Sequence, residues 1–85
     1  MKEFTYTIKD ELGIHARPAG MLVKLIKTFN SSVKIEKGES SVDALRLIAL
    51  MGLGIKQGDT ITVKVDGDDE AASADAIKQF LTENL

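Results

Sequence analysis

Phe4, Tyr6 and Ile8 alternate with Thr5, Thr7 and Lys9, a period of two that predicts a strand with one apolar face. From Ala16 to about Phe29 the period lengthens. Ala19, Leu22, Val23, Ile26 and Phe29 fall on one stripe, predicting a helix that turns this side to a core. Asn30-Ser31-Ser32 reads as a turn and Val33 to Lys37 as a second alternating strand. Lys37-Gly38-Glu39-Ser40 is a hairpin-type connection to a short third strand, Ser41-Val42-Asp43. Ala44 to Ile55 is nearly all apolar, too short to span a membrane and poor in β-branched residues, which predicts a helix of about two turns. After a turn at Gln57-Gly58-Asp59, Ile61, Val63 and Val65 form the inward side of a fourth strand. The acidic run Asp66-Gly67-Asp68-Asp69-Glu70 reads as a turn and helix N-cap, opening a last helix to about Glu83 with Ala74, Ile77, Phe80 and Leu81 inward.

The order βαββαβα suits an α+β domain in which one antiparallel sheet is covered on a single face by helices. Residues 1–85 are expected to form one domain, since 85 residues supply a single core but hardly two. The second helix is the informative one. A short helix on a core hides only one side, so some of Leu47, Ile48 and Met51 are expected to stay exposed; the bland alternative is that all three are core.

Composition narrows the function classes. The chain has no cysteine, hence no disulfide framework, thiolate metal site or thiol nucleophile, and its lone histidine argues against a histidine-based metal site. A formal net charge of -2 does not suggest a nucleic-acid partner. Met1-Lys2-Glu3-Phe4-Thr5 lacks the apolar core of a signal peptide, so a cytoplasmic protein is expected. Gly52-Leu53-Gly54 has neither dinucleotide nor phosphate-loop spacing and reads as a helix end.

The only histidine and the only proline lie together in Gly13-Ile14-His15-Ala16-Arg17-Pro18-Ala19-Gly20. The helical pattern starts immediately after His15, placing it at or just before a helix N-terminus. Pro18 suits the first turn, where a missing N–H costs nothing, and Gly13 allows a sharp exit from the first strand. The free N–H groups of Ala16 and Arg17 and the helix dipole favour negative charge beside the imidazole. A phosphoryl group on His15 would meet those donors, with the Arg17 guanidinium as a charged partner. A neutral imidazole is a competent nucleophile near physiological pH.

Arg17, Gly20, Lys24 and Lys27 recur at steps of three and four, a basic stripe running away from His15 on an acidic protein. A solvated helix face explains the lysines equally well. Gly20 shifts the balance a little, because an exposed helical glycine costs about 1 kcal/mol relative to alanine, which invites close approach of a partner.

This histidine motif resembles the active-site signature of HPr, the histidine-containing phosphocarrier family of the bacterial sugar phosphotransferase system. The similarity runs the length of the chain, including Gly52-Leu53-Gly54-Ile55-Lys56-Gln57-Gly58 and the closing helix. The resemblance implies an open-faced β-sandwich: a four-stranded antiparallel sheet of order 1-4-2-3 with three helices on one face. It implies that His15 Nδ1 accepts a phosphoryl group from phospho-enzyme I and passes it to IIA components for phosphoenolpyruvate-dependent sugar uptake. Arg17 would stabilise the group. Gly20, Lys24, Lys27, Leu47, Ile48 and Met51 would form the face used by both partners. A cytoplasmic monomeric relay follows, with no turnover, cofactor, metal, nucleic acid or membrane insertion.

One departure is visible. Many Gram-positive members carry a regulatory serine where this chain has Arg46, so that switch is not expected here. A paralogue serving a regulatory, nitrogen-type phosphorelay is the alternative. An acylphosphatase-like hydrolase of similar size is disfavoured, because Asp10-Glu11-Leu12 places acidic residues where an anion loop would lie.

Overall fold

The computed structural model describes residues 1–85. Its strands are β1 (Lys2–Thr7), β2 (Ser31–Lys37), β3 (Ser40–Asp43) and β4 (Thr60–Gly67). They form one antiparallel sheet of order β1-β4-β2-β3, as expected. The alternation seen in the sequence becomes layering. Phe4, Val63, Ile35 and Val42 stand opposite one another in a single row across all four strands, on the helix-covered face. The neighbouring row of Glu3, Lys64, Lys34 and Asp43 points to the open face. There Lys64 lies between two carboxylates, 3.1 Å from Glu36 and 3.8 Å from Glu3.

Helices α1 (Ala16–Ile26), α2 (Leu47–Gly52) and α3 (Glu70–Asn84) cover the other face. α3 packs on β1 and β4, α1 lies against α2 and α3, and α2 sits by β3. Leu22 and Ile26 of α1, Leu50 of α2 and Ile77 and Leu81 of α3 meet Ile35, Ile61, Val63 and Val65 of the sheet in one apolar core.

The first helix is one turn shorter than its periodicity suggests. After Ile26 the chain tightens: the Thr28 and Phe29 N–H groups bond back three residues, to Leu25 and Ile26. The Thr28 hydroxyl donates to the Leu25 carbonyl at 2.7 Å, competing for the acceptor that would continue the α-helix. Phe29 lies beyond the helix and is half-buried. α2 likewise spans only six residues of the apolar run. Leu53 follows it in helical conformation, and Gly54 at φ +64° ends the turn in the left-handed region that glycine favours.

Asp69 occupies the N-cap position of α3 as the acidic run suggests, but its side chain does not cap the helix. It reaches across to the start of β2, accepting from the Asn30 N–H at 2.8 Å and from the Ser31 hydroxyl. A tertiary tie has replaced the local cap. No helix is long and apolar enough to cross a membrane.

Candidate functional site

The loop between β1 and α1 is held from two sides. Ile8 N–H donates to Asp59 and its carbonyl accepts from Gly58, at 2.9 and 2.8 Å. The Leu85 carbonyl oxygen accepts the N–H groups of both Lys9 and Asp10, at 2.6 and 2.8 Å. Asp10 then folds the loop on itself: its Oδ1 accepts the Leu12 N–H at 2.8 Å, and its carbonyl accepts the Gly13 N–H at 3.0 Å. Gly13 takes φ +66° against the backbone of Ile55 and Lys56, a place with no room for a side chain. Ile14 is buried and donates its N–H to the Ile55 carbonyl at 3.2 Å. His15 is therefore delivered to the surface between anchored neighbours.

His15 is the N-cap residue of α1, in extended conformation (φ −117°, ψ 174°). Its carbonyl accepts the Ala19 N–H at 3.0 Å, starting the helix, while its side chain makes no capping bond. Pro18, buried in the first turn, has no N–H to offer. The unpartnered donors left at this helix end are the backbone N–H groups of Ala16 and Arg17, which follow the imidazole directly. The first turn carries no acidic residue, so nothing in the helix occupies those donors. The imidazole is about one-third exposed. Its Nε2 faces Asp10 Oδ2 at 3.9 Å, which leaves Nδ1 as the ring nitrogen turned from the carboxylate. Asp10, His15, Arg17, Pro18, Met21 and Asn84 line one shallow open hollow.

The structure thus places His15, Ala16 and Arg17 together at the start of α1. It adds three residues that the sequence reading does not assign to the site. Met21 stands one turn along from Arg17, a spacing visible in the sequence. Asn84 comes from the far end of the chain, where no local signal points to His15. Asp10 is close in sequence but counts there only as part of an acidic run that argues against an anion loop.

The surface beside the hollow carries the basic residues of α1 and apolar residues of α2. Arg17, Lys24 and Lys27 are exposed along α1, and none makes an ion pair. Gly20 is half-buried with no atom within 4 Å of where a Cβ would stand, so packing inside the molecule does not require a glycine. On the adjoining α2, Leu47, Ile48 and Met51 are exposed, Ile48 to 86%, while Leu50 is fully buried. The core alternative for those three residues is overturned: a six-residue helix has one inward side, and Leu50 occupies it. Arg46, also unpaired, lines a surface hollow with Leu47, Ile48 and Ala49.

A family model described as "PTS HPr component phosphorylation site" matches residues 2–83. The chain belongs to the HPr family. Phosphocarrier protein HPr of Mycoplasma genitalium is 42% identical over 85 residues, covering 99% of this chain and 97% of that protein. Phosphocarrier protein HPr of Lysinibacillus sphaericus is 39% identical over 83 residues, covering 98% and 94%. The crystal structure of HPr-C-His from Thermoanaerobacter tengcongensis superposes with a TM-score of 0.92 at 35% identity, covering 98% of this chain and 93% of that one. HPr proteins are phosphocarriers of the phosphotransferase system that serves sugar transport, and not enzymes with a turnover of their own.

Proposed function

We propose that His15 Nδ1 accepts a phosphoryl group from phospho-enzyme I and passes it to IIA components of sugar permeases. The observation that carries this reading is the pair of free N–H groups, Ala16 and Arg17, following a part-exposed imidazole at a helix end. The phosphoryl oxygens take those amides and the Arg17 guanidinium as donors, while the shallow hollow leaves the phosphorus open to the next acceptor. A carrier needs this balance, because a deeply buried group could not be handed on.

Arg17, Gly20, Lys24, Lys27 and the apolar trio Leu47, Ile48 and Met51 form the docking face for both partners in this reading. Partners with an apolar centre and acidic rim complement it. Arg46 stands where a regulatory serine would be, so the carrier works without that phosphorylation. The protein acts as one unit over residues 1–85, as a cytoplasmic monomer needing no cofactor. Arg46 also favours the second reading, a regulatory, nitrogen-type relay.

Reconstitution separates the two. With phosphoenolpyruvate, a sugar-system enzyme I and a sugar-specific IIA component, the sugar-carrier reading predicts phosphorylated IIA that depends on this protein. Phosphorylation of IIA at the same rate without it would refute that reading. Phosphorylation of the carrier only by a nitrogen-type enzyme I would establish the other.

A further inference from the structure

Asp10 has no part in the carrier chemistry described above, yet its side chain is the group best placed to control the His15 ring. One carboxylate oxygen is fixed by the Leu12 N–H at 2.8 Å, and the residue's own N–H is fixed by the Leu85 carbonyl at 2.8 Å. The second oxygen therefore has a set position, facing His15 Nε2 at 3.9 Å. That separation is within ion-pair reach and about 1 Å longer than a hydrogen bond, and contacts of this kind are often long in an unliganded site and shorten in the reacting complex. Both side chains are about two-thirds covered, which limits the competition of water for the pair.

We infer that Asp10 is a positioning residue for His15, holding the proton on Nε2 so that the lone pair is on Nδ1. The inference rests on the carrier reading and adds to it the reason why one ring nitrogen is the nucleophile. A carboxylate accepts a hydrogen bond only from a protonated ring nitrogen, so its presence beside Nε2 favours the tautomer with Nε2–H and bare Nδ1.

In the transfer, the Nδ1 lone pair attacks phosphorus. The N–P bond forms as the donor's bond to phosphorus breaks, and that electron pair leaves with the donor. The imidazole, still protonated on Nε2, takes on positive charge, and Asp10 places a negative charge opposite it. When the acceptor attacks, the N–P pair returns to Nδ1 and the ring regains its starting tautomer. Asp10 touches neither the phosphorus nor the attacking nitrogen. Nor does it compete for the Ala16 and Arg17 amides, because its bonds run to Leu12 and Leu85.

The test is two-dimensional 1H–15N correlation of the imidazole nitrogens in the wild type and in Asp10→Asn, with the rate of phosphoryl uptake from phospho-enzyme I. The carboxamide introduced by Asp10→Asn retains an oxygen for the Leu12 N–H, so the loop is preserved and the Leu12 amide signal reports whether it is. Wild type should show a pyrrole-type Nε2 and a pyridine-type Nδ1. In Asp10→Asn the two nitrogen shifts should move toward each other and the uptake rate should fall about tenfold, the lower end for loss of a group orienting an imidazole. Unchanged nitrogen shifts and an unchanged rate in Asp10→Asn would overturn the inference, as would a wild type with its proton shared between both nitrogens. The nitrogen shifts are read on unphosphorylated protein. A wild type that takes up no phosphoryl group would therefore refute the carrier reading while the Asp10 assignment is still decided by the spectra.

Discussion

Gly13 lies directly against the backbone of Ile55: the next residue donates its N–H to the Ile55 carbonyl at 3.2 Å, and a Cβ on Gly13 would fall within 2.8 Å of Lys56 Cα. The loop carrying His15 is in this way docked on the segment that leads into β4. Gly13→Ala adds a left-handed non-glycine residue and a backbone clash, a cost of roughly 2 kcal/mol or more. The expected outcome is a lower urea midpoint together with a shift of the His15 ring signals. Loss of stability without movement at His15 would separate the loop from the site.

Asp69 ties α3 to the start of β2, and this tie responds to acid. The Ser31 hydroxyl, and after it the Asn30 N–H, hold the Asp69 carboxyl below its ordinary value. Lys37, 2.9 Å away, and the Lys56 N–H do the same for Asp59. A carboxyl depressed in the folded state contributes stability that is complete above its unfolded pKa of about 3.9 and is lost as pH falls through the lower folded value. Stability measured by urea unfolding should therefore be level from pH 7 to about 5 and then decline as acid is added. Asp69→Asn should lower the midpoint at pH 7 and make the acid decline shallower. An identical decline in the variant would contradict the assignment.

Two neighbours in α2 should behave oppositely. Leu50 is fully buried and Ile48 is 86% exposed. Leu50→Ala should cost about 2–4 kcal/mol in the unfolding free energy. Ile48→Ser should change stability by no more than about 0.5 kcal/mol while slowing phosphoryl transfer through loss of docking area. Equal stability losses in both would show Ile48 to be structural.

The α1 stripe should act through long-range charge. Lys24→Glu with Lys27→Glu should leave the fold intact and slow uptake from phospho-enzyme I by about tenfold at low salt. The difference should shrink as ionic strength rises and the Debye length contracts to about 8 Å. Unchanged kinetics at low salt would remove these lysines from the docking face.

The sheet and the site are legible in the sequence to different depths. The alternation of Phe4, Tyr6 and Ile8 and of Ile61, Val63 and Val65 is a local property of each strand, and the sheet preserves it. Strand order is not local; it comes from the family resemblance of the His15 motif. Periodicity overruns the end of α1 because Phe29 keeps the apolar phase, whereas the helix is stopped by a Thr28 hydroxyl bond that periodicity does not register. The acidic run puts Asp69 at the correct cap position, but its side chain answers to Asn30 and Ser31, 39 and 38 residues away. His15, Ala16 and Arg17 are readable because the proposed phosphoryl site sits in consecutive residues at one helix start. Asn84 is not, because α3 brings it there through packing against β1 and α1. Asp10 belongs between these cases. It is near in sequence, but its value depends on an Asx turn that aims one oxygen at the imidazole.

The most direct test of the central claim is intact mass after incubation with phosphoenolpyruvate and enzyme I, for wild type and His15→Ala. Wild type should gain one phosphoryl group, labile in acid as a phosphohistidine is, and the variant none. A phosphoryl group that His15→Ala still acquires, or one that survives acid, would contradict it.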